Sequence, residues 1–191
     1  MHIFIVSGKA QSGKDEFCKV ATPYLSSRHF KCAQLAFADE VKRVAREFGW
    51  GGVKNEKGRS LLQWVGDGGR QFDPDIWIKK LLFKLCEKYC NSLYYLEADN
   101  DVLFITDARY PNEIDRVREW AQENDGVSVH AVRVTRTLDF DNGLTPEQKM
   151  NTSETALDDY VNYDYMIANI GTLEDYHKKI MQILDEIIKR G

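Results

Sequence analysis

A short apolar run that leads into a glycine-flanked loop constrains the fold of this chain more than any other feature. Ile3-Phe4-Ile5-Val6 is continuously apolar and predicts a buried strand, and a helical pattern runs from Lys14 to about Leu25. Between them, residues 8–15 read GKAQSGKD, which is the pattern G-x-x-x-x-G-K followed by Asp, where Ser or Thr is usual. A strand, a glycine-rich loop and a helix in this order predict one unit of an α/β sheet.

The rest of the chain continues the alternation of apolar strands and amphipathic helices. Further strands are predicted over residues 33–37, 102–105, 127–134 and 165–168. Helices are predicted over residues 38–48, 59–65, 75–89, 111–123 and 173–189, with a turn at Gly66-Asp67-Gly68-Gly69 after the second of these. Several strands are continuously apolar, as in sheets covered by helices on both faces. The sequence therefore predicts an α/β fold with a doubly wound, mostly parallel five-stranded sheet, in which ligands bind at the carboxyl ends of the strands.

Composition narrows the class of protein further. The chain has 191 residues, a length usual for one domain. Its 26 Lys+Arg against 30 Asp+Glu give a net charge of −4, which argues against a protein that coats nucleic acid. No apolar run reaches the roughly 18–20 residues that span a bilayer, and the N-terminus lacks the basic segment of a secretory signal, so we expect a cytoplasmic location without a membrane partner. The four cysteines contain no C-x-x-C pair, so neither a disulfide framework nor a zinc site is expected.

The glycine-rich loop is predicted to bind the phosphates of a nucleotide. Gly8 and Gly13 permit backbone angles that turn successive N–H groups inward, and the following helix adds the positive end of its dipole. Lys14 supplies a cation for the β- and γ-phosphates. An ordinary strand–helix turn is the alternative, but it leaves Lys14 unexplained. The predicted binding residues are Gly8, Lys9, Ala10, Gln11, Ser12, Gly13, Lys14 and Asp15.

Two carboxylates are candidates for holding magnesium. Asp15 replaces the usual hydroxyl, and it can hold Mg²⁺ directly or through a water molecule. Asp107 follows a buried strand, where the second magnesium carboxylate of phosphate-loop enzymes lies; a helix cap or turn residue is the alternative. Arg109 either faces the transferring phosphoryl group or is a structural ion-pair partner of Asp107 or Glu113. Both readings of Arg109 stay open at this point.

Two further arginines and two tryptophans are candidates for binding a second phosphate compound. Arg70 follows the predicted glycine turn, and Arg136 begins a polar, turn-rich segment that is a candidate lid. Trp64 and Trp77 could stack on a base, although tryptophans in such helices more often belong to a core.

Five segments along the chain form a combination more specific than the loop alone. SGKD (residues 12–15) is followed by LLQWVG (61–66) leading to Arg70, by DPDIW (73–77), by ITDARYPNE (105–113) and by SETAL (153–157). Together these segments resemble the deoxynucleoside monophosphate kinases of tailed bacteriophages. The resemblance covers nearly the whole chain, and the DARYPNE segment joined to the LLQWVG run is its most specific part.

This resemblance implies a fold similar to adenylate kinase and transfer of the γ-phosphoryl group of ATP, with Mg²⁺, to a deoxynucleoside 5′-monophosphate. It implies one domain over residues 1–191, with an acceptor-binding helical region at about 38–92 and a lid at about 136–155. The implied catalytic residues are Lys14, Arg70, Arg109 and Arg136. The implied acceptor-binding residues are Phe37, Asp39, Lys42, Arg43, Arg70, Trp77 and Arg109. Independently of the resemblance, the net charge argues against a direct nucleic-acid partner, and an exposed face of the helix at residues 75–89 could pair with a second subunit to form a homodimer.

Two other functions are compatible with the same loop. A different small-molecule kinase, acting on dephospho-coenzyme A or phosphomevalonate, would use the same scaffold. A GTPase-type switch would also use it, but the sequence lacks the Asn-Lys-x-Asp motif whose aspartate reads guanine.

Overall fold

The computed structural model of the protein describes residues 1–86, 101–136 and 145–190. The chain divides into two compact units. The first comprises Met1–Gln34 together with Glu97–Gly191, and the second comprises Leu35–Leu96. The second unit spans the range predicted for the acceptor-binding region, whose role stays a prediction, as does the single-domain organisation.

Five strands form one sheet. They are β1 (His2–Ser7), β2 (Lys31–Leu35), β3 (Asp101–Ala108), β4 (Ser128–Thr135) and β5 (Tyr165–Ala168). Their order is β2-β3-β1-β4-β5, and β1 pairs in parallel with both β3 and β4, as β4 does with β5. The predicted doubly wound α/β fold with a five-stranded sheet is confirmed. The central position of β1 brings the loop that follows it between the carboxyl ends of β3 and β4.

Eight helices connect or follow these strands in the described parts of the chain. They are α1 (Lys14–Ser26), α2 (Ala38–Glu47), α3 (Glu56–Phe72), α4 (Ile76–Leu85), α5 (Pro111–Gln122), α6 (Pro146–Lys149), α7 (Thr152–Thr155) and α8 (Leu173–Arg190). None of the helices in these parts is long and apolar enough to cross a membrane.

The apolar strands are buried on both faces, as their composition predicts. Phe4 and Val6 of β1 belong to a core with residues of α1 and α8, including Phe17 and Tyr176. Ile3 and Ile5 alternate with them and so point to the opposite face, yet they too are 0% exposed. A strand with both faces covered gains from apolar residues at every position, which explains the continuous run.

The predicted glycine turn at residues 66–69 is wrong, because α3 continues through it to Phe72. The reason lies in packing against Trp77 of α4. A Cβ at Gly69 would come within 2.4 Å of the Trp77 ring, and the Trp77 indole N–H donates to the Gly66 carbonyl at 3.0 Å. These two glycines therefore allow two helices to approach closely, and this benefit outweighs the roughly 1 kcal/mol that glycine costs inside a helix.

The short helices α6 and α7 were not predicted, and several other differences are shifts of element boundaries. β2 ends at Leu35 rather than at residue 37, since Phe37 already has helical angles (φ −58°, ψ −36°) before α2. β3 extends to Ala108, so Asp107 lies within the end of the strand rather than after it. The end of the predicted 75–89 helix and residues 137–144 of the candidate lid lie outside the described residues.

A histidine pair joins β1 to β4 and predicts a loss of stability in acid. His2 Nδ1 and His130 Nε2 are 3.1 Å apart, and their rings stack with centroids 5.4 Å apart. Burial lowers the pKa of His130 to about 4, and it also lowers the pKa of His2. The unfolded chain therefore takes up protons first, and we expect the free energy of unfolding to fall by about 2 kcal/mol as pH drops from 6.5 to 4.

Urea unfolding at pH 7.5, 6, 5 and 4 measures this loss. His130→Phe, whose ring would lie beside Phe4, is expected to remove most of the pH dependence attributed to the pair. His29→Gln changes an exposed histidine and is expected to retain the wild-type pH dependence. An identical slope in the wild type and His130→Phe would show that the pair does not set acid stability.

Candidate phosphate-binding site

The loop after β1 has the backbone conformation that its glycines predict. Gly8 has a φ of +151° and Gly13 a φ of +113°, and Gln11 between them is left-handed with a φ of +57°. A Cβ at Gly8 would lie 2.4 Å from the Val134 carbonyl oxygen, and one at Gly13 would lie 2.6 Å from the Asn169 amide nitrogen. Both positions therefore require glycine for two reasons, the backbone angle and the lack of space.

The first turn of α1 gives the loop its anion-binding character. The helix begins at Lys14 after Gly13, and the amide of Phe17 is the first to bond back, to the Gly13 carbonyl at 2.9 Å. The earlier amides of the helix have no partner within the helix, and they carry the positive end of its dipole. Such a helix start after a glycine-rich loop suits a phosphate group.

Lys14 is folded over the loop and is largely removed from solvent. The residue is 8% exposed, and its ammonium group donates to the carbonyl oxygens of Gly8 and Lys9, both at 2.7 Å. Burial lowers the pKa of Lys14 to about 8, with a smaller contribution from the positive charge of Arg109. A desolvated ammonium group interacts strongly with any anion that enters the loop.

The predicted charged residues of the first unit lie together around this ammonium group. Asp15 and Asp107 each raise the pKa of Lys14 through their negative charge, so both carboxylates lie within electrostatic range of it. The guanidinium group of Arg136 donates to the Gln11 carbonyl at 3.3 Å. The structure thus brings Lys14, Arg109 and Arg136 to one loop, while their roles stay predictions.

A carboxylate that the sequence reading did not single out completes this group. Glu154 Oε1 accepts a hydrogen bond from Arg109 Nη1 at 2.5 Å, and its Oε2 accepts one from the Ala10 amide at 3.1 Å. The structure describes an ion pair of Arg109 with Glu154, a partner that the sequence did not suggest. Glu154 belongs to the SETAL segment of the resemblance, and that is the signal that could have found it.

Residues after β5 and in α8 form hydrogen bonds to the loop. The Asn169 side-chain amide, just after β5, donates to the Ser12 carbonyl at 2.9 Å, and the Tyr176 hydroxyl donates to the Gly13 carbonyl at 3.0 Å. Within the part of the chain that the structure describes, the Ser12 hydroxyl is the one buried side-chain oxygen or nitrogen without a hydrogen-bond partner. Asn169 could have been anticipated, because it follows the carboxyl end of a parallel strand.

Lys9 does not face the centre of the loop. Its ammonium group bonds to the Asp158 carboxylate at 2.8 Å, and Arg133 lies 3.4 Å from the other oxygen of that carboxylate. The backbone of Lys9 nevertheless serves the loop, since its carbonyl accepts from both Lys14 and the Ser12 amide.

The second unit contains a shallow pocket with several of the predicted acceptor-binding residues. It is a depression that encloses no measurable cavity, whereas ordinary ligand sites have roughly 300–1,000 Å³. Its lining includes Phe37, Asp39, Glu40 and Trp77. Phe37 and Trp77 are 2% and 6% exposed, so they form the floor of the pocket rather than an open stacking surface.

The remaining predicted residues of the second unit take part in ion pairs. Lys42 lies 3.3 Å from Asp39, and Arg70 lies 3.9 Å from Asp67 near the end of α3 rather than after a turn. Arg43 pairs with Glu40 at 2.8 Å and with Glu47. Each of these side chains is thus engaged by carboxylates of its own helix, and an acceptor phosphate would compete with them.

The carboxylates near Lys14 fit a magnesium ion that is shared with a nucleotide, but not a metal cage built by protein alone. Among the described residues there is no cluster of three or more His, Cys, Asp or Glu side chains able to hold a metal. Mg²⁺ in phosphate-transferring sites is usually bound through one or two carboxylates plus substrate phosphates and water. Asp15 and Asp107 supply that number of carboxylates.

Comparisons with known proteins support the fold. No model of a protein family matches the chain. A curated relative is the uncharacterized protein ORF77 of Ictalurid herpesvirus 1 (strain Auburn), 25% identical over 178 residues, which cover 93% of this chain and 68% of that protein. Among solved structures, Kti12 of Chaetomium thermophilum in complex with ADP-AlF3 aligns with a TM-score of 0.51 at 11% identity, covering 97% and 98% of the two chains.

A further similar structure is that of the APS kinase CysC of Mycobacterium tuberculosis in complex with AMPPNP and APS, with a TM-score of 0.49 at 12% identity over 96% of this chain and 97% of the other. At these identities the likeness concerns the fold alone. The glycine-rich loop, its lysine and the order of the strands define this chain as an α/β protein of the P-loop type.

The lowered pKa of Lys14 predicts that binding of a nucleoside triphosphate depends on pH. The ammonium form that attracts phosphate is lost as the pH rises through about 8. We therefore expect the affinity for ATP to be level below pH 7.5 and to fall by up to about tenfold per unit above pH 8.5. Competition against a fluorescent ATP analogue between pH 6.5 and 9.5 measures this dependence. In Lys14→Arg, whose side chain stays charged, the remaining affinity should be independent of pH over that range.

Proposed function

We propose that the protein is an ATP-dependent kinase that phosphorylates a deoxynucleoside 5′-monophosphate. The observation that carries the kinase part is the convergence of Lys14, Arg109 and Arg136 on a loop that ends at a helix N-terminus. A triphosphate carries its charge along a row of phosphates, and three cations at one loop match that distribution. The Kti12 structure, which is a complex with ADP-AlF3, supports nucleotide binding by a protein of this fold.

In the proposed reaction the acceptor needs no general base. Its phosphate has a second pKa near ~6, so an oxygen of that phosphate is already ionised at neutral pH. This oxygen attacks the γ-phosphorus in line, the bond from that phosphorus to the β–γ bridging oxygen breaks, and ADP leaves with the bond's electrons. Catalysis then consists of positioning the two phosphates and neutralising their charge.

The chain's own residues divide this work. Lys14 and the first amides of α1 would hold the β- and γ-phosphates, while Arg109 would stabilise the charge on the transferring group. Arg136 would close over the donor, since it already donates to the loop at Gln11. Asp15 and Asp107 would hold Mg²⁺, which neutralises charge on the β- and γ-phosphates when bound.

The acceptor class rests on the resemblance to bacteriophage deoxynucleoside monophosphate kinases, and the pocket of the second unit supports it. The pocket has an apolar floor that includes Phe37 and Trp77, and a charged rim that includes Asp39 and Glu40. Hydrogen bonds from Lys84 and Arg43 lower the pKa of Glu40, so the rim keeps its carboxylate charge. The carboxylates of this rim can accept hydrogen bonds from the N–H donors at the edge of a base.

A kinase for another small molecule is the second candidate, because the fold likeness does not discriminate between acceptors. A coupled assay of ADP release with ATP and Mg²⁺ decides between them. The acceptors are the four deoxynucleoside monophosphates, the ribonucleoside monophosphates, dephospho-coenzyme A and phosphomevalonate, with a reaction lacking acceptor as the control. Rapid ADP release that occurs only when the acceptor is a deoxynucleoside monophosphate supports the proposal. Release with another acceptor, or equally rapid release without any acceptor, contradicts it.

A further inference from the structure

One carboxylate ties the phosphate loop to the arginine proposed to act in the reaction. Glu154 is only 11% exposed at its side chain, and its two oxygens serve two different groups. One accepts from the guanidinium group of Arg109 at 2.5 Å, and the other accepts from the Ala10 backbone amide at 3.1 Å. The loop and the arginine are thus held at a fixed separation by a single side chain, although 45 residues separate Arg109 from Glu154.

The backbone of Arg109 is held by a second carboxylate. Glu113, which is 2% exposed, accepts from the Arg109 amide at 2.6 Å and from the Tyr110 amide at 3.2 Å. Arg109 is therefore fixed at both ends, by Glu113 at its backbone and by Glu154 at its guanidinium group. Arginine side chains are flexible when they are not held, so this double restraint confines the guanidinium group to one place.

The segment that carries Glu154 is itself anchored. Asn151 caps α7, with its side-chain oxygen accepting from the Ser153 amide at 2.9 Å and its carbonyl accepting from the Glu154 amide at 2.8 Å. Four residues further on, Asp158 bonds to Lys9 of the loop at 2.8 Å. Residues 151–158 thus contact the loop at two consecutive positions, Lys9 and Ala10.

We propose that Glu154 is a positioning residue that acts through Arg109, holding its guanidinium group beside the phosphate loop for the transfer step. This inference rests on the proposed kinase function. A guanidinium group has five N–H donors, and the bond to Glu154 engages Nη1, so other donors remain for a phosphoryl group. A donor that is already in place stabilises the transition state without a cost of reorganisation.

The geometry limits competition between Glu154 and phosphate to one of the loop amides predicted to bind phosphate, that of Ala10. Glu154 binds the amide of Ala10, which precedes the left-handed Gln11, whereas the dipole-bearing amides at the start of α1 begin at Lys14. A carboxylate at Ala10 therefore leaves the helix start open to the phosphates. If Glu154 instead competed with the triphosphate, its removal would strengthen ATP binding.

A double-mutant cycle with Glu154→Ala and Arg109→Ala tests the inference. We expect Glu154→Ala to lower kcat by about 100-fold, the size of effect caused by a small misplacement, and to change the KM for ATP by less than about threefold. In the Arg109→Ala background the same change should lower kcat by less than about threefold, because the group that it positions is gone. Glu154→Gln keeps one acceptor oxygen but replaces the other with an NH₂ donor and removes the charge, so it should recover only about a tenth of wild-type kcat.

The surface pair Arg116–Glu119 supplies a matched control. It joins the same residue types at 2.7 Å, but its side chains are 51% and 56% exposed. Glu119→Ala should leave kcat unchanged. Thermal unfolding shows whether Glu154→Ala folds. If it does not, the double-mutant cycle is built with Glu154→Gln in place of Glu154→Ala, in the wild-type and Arg109→Ala backgrounds.

The outcomes separate the two proposals. Effects of Glu154 and Arg109 that multiply, an unchanged kcat in Glu154→Ala, or tighter ATP binding in that variant each overturn the positioning role and leave the kinase function standing. A wild-type protein that binds ATP but transfers no phosphoryl group to any acceptor overturns the kinase function, and the positioning role with it.

Discussion

Replacement of Lys14 by alanine is expected to lower kcat by about 10³-fold or more while the protein stays folded, since the change removes a preorganised charge from the phosphates of the donor. The ammonium group is largely desolvated, as its pKa of about 8 indicates, so its interaction with phosphate is little weakened by water. Its hydrogen bonds to the carbonyl oxygens of Gly8 and Lys9 hold the ammonium group at the loop.

Stability should respond much less than activity. The variant loses two hydrogen bonds to Gly8 and Lys9, but it also relieves the burial of a charge. We expect the free energy of unfolding to change by no more than about 1 kcal/mol. Lys19→Ala, in the same helix with a side chain 79% exposed, is the control and should retain wild-type kcat. A folded Lys14→Ala variant with undiminished turnover would remove Lys14 from the mechanism.

The sequence was sufficient to predict those parts of the structure that depend on local patterns. The loop at residues 8–15 was predicted because the glycines, the lysine and the flanking periodicities are contiguous. Asp107 and Arg109 were predicted to lie near the loop because parallel strands bring their carboxyl ends to one edge of the sheet. β5 was predicted with its observed boundaries, Tyr165–Ala168, because a short apolar run between polar segments leaves little ambiguity.

Features that depend on distant packing were not predictable in this way. Gly66 and Gly69 suggest a turn when only their neighbours are considered, and only the position of Trp77 explains why they lie inside a helix. The same tertiary contact moves Arg70 from a loop to the end of α3. Glycine frees the backbone and also allows close approach, and sequence alone does not tell which property is used.

The partners of the site's charges were also beyond local inference. Glu154 and Asp158 contact the loop across 144 and 149 residues of sequence, and no periodicity connects them to it. Glu113 was considered as a partner of the Arg109 side chain, and the structure shows it accepting from the Arg109 backbone amide. The sequence can therefore predict which residues lie at the strand ends, but which charged side chains pair with each other depends on the fold.

Removal of Arg109 is expected to affect catalysis, stability and the titration of Lys14 together. An arginine at a phosphoryl-transfer transition state contributes about 10³–10⁵ in rate, so we expect Arg109→Ala to lower kcat by about 10³-fold. The change also leaves the Glu154 carboxylate, 11% exposed, without its ion-pair partner. Because that site is not fully closed to water, the expected loss is about 1–2 kcal/mol in the free energy of unfolding.

The titration distinguishes Arg109 from a residue that only stabilises the fold. Arg109 lowers the pKa of Lys14, while Glu154 raises it, so removing the arginine should move that pKa above its present value of about 8. The loss of ATP affinity at alkaline pH should then begin at a higher pH in Arg109→Ala than in the wild type. Arg109→Lys keeps the charge but not the planar fork, and it should keep the wild-type pH dependence while kcat stays low. Arg116→Ala, which removes a surface arginine, should change neither quantity, and a pH dependence unchanged in Arg109→Ala would show that its guanidinium group does not act on Lys14.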